Sequence, residues 1–435
     1  MKINIAGIGY VGSVMATGFA ELGHEVIAVD IDEEKVNKIN QGKTPIYEPG
    51  VEELLIKNKQ RIKATTDLEE AVKDSEMTFI CVGTPSEDDG SIYLDNIFKV
   101  SHEIGSALRD KQEKHYVIMK STVLPGTTEK AIKIIEQVSD KRFPNEFSAA
   151  MNPEFLKEGS AVYDFFHQDR IVIGSSDLKA IEKVEQAYRG ITKSIDKGLE
   201  KVIKTDFKNA ELGKYANNAM LALKITFANE IGNVCKKAGA DMNVIAEIIG
   251  ADQRIGPYFL RSGIGYGGSC FPKDIAALRS YALREGYLPR LLIATEDVNK
   301  EQPMKLIELL DKKYNHELRG KNIAVLGLAF KSDTDDIRYS PALRIVKELL
   351  SRQVRLNLYD PAAMENVREI YPSNDRIRYT ETAQEAVNLS NIVLLTTEWP
   401  EFKSLDFGNK PVFDGKNVFY SNPQRKPKNY EGVCW

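Results

Sequence analysis

The chain is poor in the residues that build metal sites and covalent cross-links. Among 435 residues there are only four cysteines and five histidines. Cys81, Cys235, Cys270 and Cys434 are scattered with no CxxC spacing, which argues against both a disulfide framework and a zinc knuckle. His24, His102, His115, His167 and His316 show no ligand spacing either, so the expectation is a protein without metal. No apolar run approaches the ~18 residues a membrane span needs. The apolar start, "MKINIAGIGYVGSVMATGFAELG", is cut by glycines and turns acidic at Glu21 with no convincing cleavage site. An excess of positive charge is missing as well. The 59 basic and 63 acidic side chains are interspersed and leave a net charge of −4, with no basic face for nucleic acid and no polybasic membrane patch. Low-complexity tracts and short repeats are absent. The expectation is a cytoplasmic protein with a small-molecule partner, neither nucleic acid nor membrane.

What is present is an ordinary globular composition, 42% hydrophobic and 28% charged, in a chain long enough for two or three domains. Over residues 1–200, short β-branched runs ("KINIAGIG", "EVIAVD", "MTFICVGTP", "HYVIMKSTV", "RIVIGSS") alternate with helix-length segments. That alternation predicts a parallel sheet with crossover helices. From residue 205 the pattern turns helical for about ten turns without a proline. Leu212, Tyr215, Ala219, Leu223, Phe227 and Ile231 recur at steps of three and four. So long a helix reads as a spine between domains. The strand alternation restarts at "NIAVLGLAF", and the polar end "YSNPQRKPKNYEGVCW" reads as a loosely held tail. The division expected is 1–204, 205–300 and 301–435: two α/β parts around a helical middle.

Gly7-Ile8-Gly9-Tyr10-Val11-Gly12 follows the strand "INIA", precedes a helical stretch, and is followed by a second strand ending in Asp30. This is the context that turns a GxGxxG into a dinucleotide fingerprint. Gly7 permits the tight turn, Gly9 lets the backbone approach a pyrophosphate, and Gly12 lets helix and strand pack closely, with the helix N-terminus turned to the phosphates. Asp30 would accept hydrogen bonds from the adenosine ribose and repel a 2′-phosphate, so the cofactor expected is NAD rather than NADP. Lys35 either pairs with the cofactor or is a solvated helix charge.

In "GYGGSCFPKD", residues 265–274, Cys270 follows three glycines and opens a helical stretch with Pro272 in its first turn. The glycines read as leaving room beside the sulfur for a ligand, and a helix N-terminus next to Lys273 favours the thiolate. "MNPEFLKEGSA" puts Glu154 and Glu158 four apart after a strand end, which is where a doubly wound sheet faces its ligand, although two solvated acids fit equally well. Lys214 and Asn218, four apart on the long helix, share a face and are read either as chemical groups or as exposed ones.

These segments carry a resemblance. "GIGYVG", "VGTP", "STVLPGT", "NPEFLKEG", "KYANNA", "GYGGSCFPKD", "LGLAFKSDTDDIR" and "VFDGKN" occur in the order seen in the nucleotide-sugar 6-dehydrogenases, over nearly the whole chain. The sequence therefore resembles the UDP-glucose/GDP-mannose dehydrogenase family. The resemblance implies two Rossmann-like doubly wound domains joined by a long central helix on which two subunits dimerise. It also implies a four-electron oxidation of UDP-glucose to UDP-glucuronate with two NAD+ in succession. On matching positions it makes Cys270 the nucleophile, Lys214 and Asn218 the donors to the oxyanion, and Asp274 their carboxylate partner. Glu154 becomes the hydrolytic base and Thr122 a partner of the catalytic water. The same carry-over puts Tyr10, Val11, Asp30, Lys35, Thr84, Thr122, Glu158, Lys273 and Arg338 at NAD. The sugar nucleotide would be lined by Phe155, Leu156, Lys157, Phe259, Leu260, Arg261, Ser262, Gly263, Gly267 and Lys331, and Arg254 would reach a substrate of the neighbouring subunit. One departure is "FDGK", where many relatives have "FDGR": Lys416 lacks the fork with which Arg grips paired acceptors. GDP-mannose and other nucleotide sugars remain alternative substrates. N-acetylhexosamine enzymes tend to carry His where Ser269 stands, and β-hydroxyacid dehydrogenases of similar build need no cysteine.

Overall fold

A computed structural model describes residues 1–194 and 202–435, which divide into two compact units, Met1–Asn217 and Asn218–Trp435. In the first unit the strands are β1 (Lys2–Ala6), β2 (Glu25–Val29), β3 (Ile62–Thr65), β4 (Met77–Ile80), β5 (His115–Met119), β6 (Phe147–Met151), β7 (Ile171–Gly174) and β8 (Val202–Thr205). They form one sheet in the order β3-β2-β1-β4-β5-β6-β7-β8. β4 and β6 are buried along their whole length, as expected of parallel strands covered by helices on both faces. The order reverses at β1, so the crevice beyond the carboxyl ends of β1 and β4 is where a ligand is expected.

One pairing departs from the parallel expectation: β7 runs antiparallel to β6, in register Met151↔Gly174. A parallel neighbour requires a crossover that carries the chain back along the full strand length to the end of the sheet where β6 began. The link after β6 holds only the helix Ala161–Phe166, a rise of about 9 Å. β8 then pairs parallel with β7. Under this sheet Phe19 packs against Phe79, Phe165 and Tyr188 with ring centroids 5.0, 5.5 and 5.2 Å away. Gly18 makes room for that cluster, since a Cβ there would lie 2.4 Å from the Phe165 ring.

The expected spine is a single helix, Phe207–Ala238, of 32 residues. Asp206 accepts from the Asn209 N–H at 2.8 Å as its N-terminal cap, and Gly239, at φ +72°, ends it. The boundary between the units falls inside this helix. The apolar positions picked from sequence do not form one buried row: Tyr215 is buried, whereas Leu212 and Phe227 are exposed. Near its start, the buried Glu211 accepts from the N–H groups of Gly126 and Thr128 and from the Thr128 hydroxyl, at 2.6–2.7 Å. It thereby caps the helix Thr127–Ser139. No described helix is long and apolar enough to cross a membrane.

In the second unit the strands are β9 (Asn322–Leu326), β10 (Arg355–Tyr359), β11 (Ile377–Tyr379), β12 (Ile392–Leu395), β13 (Val412–Asp414) and β14 (Tyr430–Gly432), in the order β11-β10-β9-β12-β13-β14, every pairing parallel. β14 corrects the expectation of a loose tail. Val433 and Cys434 are buried, and Gly232 of the long helix leaves the notch they fill, because a Cβ there would lie 2.8 Å from the Cys434 sulfur. Lys236 Nζ donates to the Gly432 carbonyl at 2.8 Å, and Trp435 Nε1 to the Tyr430 hydroxyl at 2.7 Å. A polar, exposed stretch before these residues hides them from a reading by composition.

Candidate active site

The glycine loop after β1 has the shape a dinucleotide needs. Gly7 sits at φ +103°, with its would-be Cβ 2.9 Å from the Cys81 and Val82 backbone. A Cβ on Gly12 would lie 1.8 Å from the Gly7 carbonyl oxygen, so helix Tyr10–Glu21 packs against the turn only because Gly12 is bare. Gly9 faces open space, with no atom within 4 Å of a built Cβ, and caps that helix without a side chain. These are the features of a phosphate cradle at a helix N-terminus. Asp30, at the end of β2, accepts from the Ile8 N–H at 2.7 Å and from the Asp32 N–H at 3.1 Å. Lys35 stands 3.6 Å from Asp30 and 4.0 Å from Asp32, its side chain partly exposed. The residues present therefore fit NAD.

Tyr10 and Val11 lie in the first turn of the helix. The Tyr10 hydroxyl donates to Glu48, a residue the sequence reading missed, whose carboxylate also accepts from the N–H groups of Gly159 and Ala161 at 2.6 and 2.7 Å. Burial, reinforced by the Glu48 hydrogen bond and by the charges of Glu48 and Glu158, drives the Tyr10 phenol far above its ordinary pKa, so it stays a donor. Across the sheet the Thr84 hydroxyl donates to the Thr122 carbonyl at 3.1 Å, joining the loops that follow β4 and β5.

The loop after β6 carries a buried ion pair. Glu154 Oε1 lies 2.9 Å from Lys214 Nζ, and its other oxygen accepts from the Leu156 N–H at 2.6 Å. Burial pushes the Glu154 carboxyl up, but the Lys214 charge and hydrogen bond, the Leu156 N–H and the Lys120 charge outweigh it and hold the group below the usual carboxylate range. Both partners are buried, Lys214 3% and Glu154 8% exposed, so neither is the solvated group the sequence left open. Phe155 stacks its ring under Arg170 at 3.8 Å and lies 5.2 Å from Lys214 Nζ. Lys157 is exposed and paired with Asp164 at 2.9 Å.

In the second unit, Cys270 is the N-cap residue of helix Phe271–Arg284, with Sγ 3.5 Å from the Ser269 hydroxyl. The buried Asp274 accepts from Asn218 Nδ2 at 2.6 Å and pairs with Lys273 Nζ at 2.6 Å. Asp274 thus shares the Lys273 charge that the sequence reading assigned to the thiol. The glycines before Cys270 also differ from expectation. Built Cβ atoms on Gly265, Gly267 and Gly268 would meet Asn299 at 2.7 Å, the Tyr339 carbonyl at 2.4 Å and the Phe330 ring at 2.7 Å. They are bare to let the loop pack on its own unit, and Gly265 and Gly268 also need φ of +98° and +84°.

Of the remaining expected residues, Leu260, Ser262 and Gly263 are buried in this loop, and the Gly263 N–H donates to Asn229 Oδ1 at 2.8 Å. Phe259, at φ +63°, sits with its ring 6.4 Å from that of Phe271. Arg261 lies over Tyr420 at 4.8 Å, Lys331 over Phe330 at 5.7 Å, and Arg338 pairs with Asp336 at 2.7 Å. Arg254 stands apart on the surface, its side chain 89% exposed and forked onto Asp252. Lys416 Nζ donates to the Phe330 carbonyl at 3.2 Å, and its N–H donates to the buried Asp414 at 2.8 Å. Burial pushes the Asp414 carboxyl up to about 6 against four opposing hydrogen bonds.

Residues 1–192, 208–301 and 324–421 match, in turn, the NAD binding, central and UDP binding domains of the UDP-glucose/GDP-mannose dehydrogenase family. The UDP-glucose 6-dehydrogenase AglM of Haloferax volcanii is 43% identical over 100% of both chains. The GDP-mannose 6-dehydrogenase of Azotobacter vinelandii is 37% identical, again over 100% of both. Among solved structures, a UDP-glucose dehydrogenase of Pyrobaculum islandicum superposes with a TM-score of 0.92 at 39% identity, covering 100% of this chain and 98% of that one.

Proposed function

The chain belongs to the UDP-glucose/GDP-mannose dehydrogenase family and is an NAD-dependent nucleotide-sugar 6-dehydrogenase, and on that premise we propose that it oxidises UDP-glucose to UDP-glucuronate through a thioester on Cys270. The observation that carries this reading is the buried Lys214–Glu154 pair, a cation and a base whose desolvation costs the fold stability and which together supply the charges that this chemistry uses. The division into parts 1–204, 205–300 and 301–435 is proposed with it.

The Gly7–Gly12 loop and Asp30 would hold NAD+, which would supply the hydride acceptor, twice per sugar. The C6 hydroxyl gives its proton to water and C6 gives up one hydrogen as hydride, leaving an aldehyde; Lys214 Nζ and the Asn218 amide donate to the C6 oxygen as negative charge grows on it, which is the work of an oxyanion hole. Asp274 holds the Asn218 amide in place. Cys270 Sγ forms a C–S bond to the aldehyde carbon, and the resulting thiohemiacetal keeps one hydrogen on that carbon. Loss of that hydrogen as hydride leaves a thioester. Glu154 then takes a proton from the attacking water, the C–S bond breaks, and the sulfur departs as thiolate. One test covers substrate and stoichiometry together. UDP-glucose with NAD+ is expected to yield two NADH per sugar, with GDP-mannose and NADP+ each poorer in kcat/KM by about tenfold or more, as lost charge-assisted hydrogen bonds require. One NADH per sugar, or GDP-mannose as the better substrate, would overturn the proposal.

We also propose a homodimer through the long helix. Met220, Phe227 and Val234, seven residues apart, form an apolar row 57%, 50% and 57% exposed, the spacing of a helix–helix seam. Sedimentation is expected to give twice 48.8 kDa, and Phe227→Glu to shift it toward one chain. A monomer for the parent chain would refute this part.

A further inference from the structure

A second ammonium lies next to the Lys214–Glu154 pair. Lys120, the first residue after β5, is 2% exposed. Its Nζ donates to Asn152 Oδ1 at 3.0 Å, to the Pro153 carbonyl at 3.3 Å and to the Tyr188 hydroxyl at 3.0 Å. That hydroxyl donates in turn to Asn152 Oδ1 at 2.9 Å, and Asn152 Nδ2 donates to the Val172 carbonyl at 2.8 Å. All three protons of the ammonium are therefore spent on neutral groups, two of them on the residues directly before Glu154. The charged and titratable groups facing it are Glu154, Lys214, Cys81 and Tyr188.

We propose that Lys120 is a positioning residue for Glu154: it clamps the strand end that presents this carboxylate and adds a second positive charge to the one Lys214 places on it. A buried ammonium with no carboxylate in direct contact costs the fold, because nothing repays its desolvation fully. Burial lowers the Lys120 pKa to about 8 even though Glu154 pulls it upward. Between about pH 8 and the ordinary lysine value, the folded chain therefore binds fewer protons than the unfolded one, and stability rises with pH there. The charge is a burden on folding at neutral pH, and its return lies at Glu154, whose carboxyl it helps to keep low. The Cys81 thiol, pushed up to about 12 by burial, stays neutral and offers no competing anion.

The inference rests on Glu154 acting in hydrolysis, and the experiment separates the two. Acyl-enzyme is formed with UDP-glucose and NAD+, and its breakdown is followed by quenched intact-mass spectrometry across the acid range. Lys120→Met keeps the side-chain length and removes the charge. Its acid limb is expected to move up by about one pH unit, the scale of one lost neighbouring charge. Tyr188→Phe, which deletes one acceptor of the ammonium, is expected to move the limb the same way by less, and serves if Lys120→Met does not fold. A limb that stays at the parent position in the variant that folds would overturn the role of Lys120. If Glu154→Gln hydrolyses the acyl-enzyme at the parent rate, the reading of Glu154 fails instead, whatever Lys120 does.

Discussion

Cys270→Ala is expected to make no UDP-glucuronate while still binding NAD+ and UDP-glucose. The first hydride leaves a C6 alcohol and needs no sulfur. The second needs a tetrahedral carbon that still bears hydrogen, and a thiolate adduct is what supplies it. Cys270 is the N-cap residue of helix Phe271–Arg284, where helix N–H groups favour a thiolate. Cys270→Ser is the more informative variant. A hydroxyl is a far weaker acid than a thiol of pKa about 8.5, so serine attacks slowly and, once acylated, leaves slowly. The serine variant is expected to accumulate an ester, visible as the added sugar-nucleotide acyl mass on the intact chain. Acid formation by Cys270→Ala at the parent rate would remove Cys270 from the mechanism.

Lys214→Ala is expected to lower kcat by about 10²–10³-fold or more, the range for one lost oxyanion donor. The side chain is buried against Glu154 at 2.9 Å, so its removal also strands a carboxylate. Stranding a buried partner costs about 3–5 kcal/mol, and a loss of activity could then reflect unfolding. The double variant Lys214→Ala/Glu154→Gln removes that charge imbalance. If it melts near the parent Tm and releases the first NADH, a step that does not use Glu154, about 10²–10³-fold more slowly than Glu154→Gln alone, the defect is chemical. A Lys214→Ala enzyme with kcat near the parent's would return this residue to a purely structural role.

Much of the fold was legible because local chemistry dictates it. Gly7, Gly9 and Gly12 after an apolar strand, with Asp30 at the end of the next, state a βαβ turn and its ligand wherever the rest of the chain goes. The proline-free stretch from residue 205 could only be a long helix. β14 was not legible, since three residues after a polar run look like a tail until the notch at Gly232 receives Cys434. The antiparallel β7 was equally hidden, because strand direction depends on the path of the link and not on the strand's own residues.

At the site the division is sharper. The sequence by itself determined which residue types are available: one cysteine before a helix, two carboxylates after a strand, a lysine and an asparagine one turn apart. Only the tertiary structure showed that Glu154 is buried beside Lys214, since burial is a property of neighbours far along the chain. It also decided that Lys273 is held by Asp274, that the glycines before Cys270 face Asn299, Tyr339 and Phe330, and that Lys120 reaches Asn152, Pro153 and Tyr188. The physical reason is common to all of these. Backbone conformation and helix periodicity act over a few residues, whereas desolvation and charge depend on whatever the fold brings within a few ångströms.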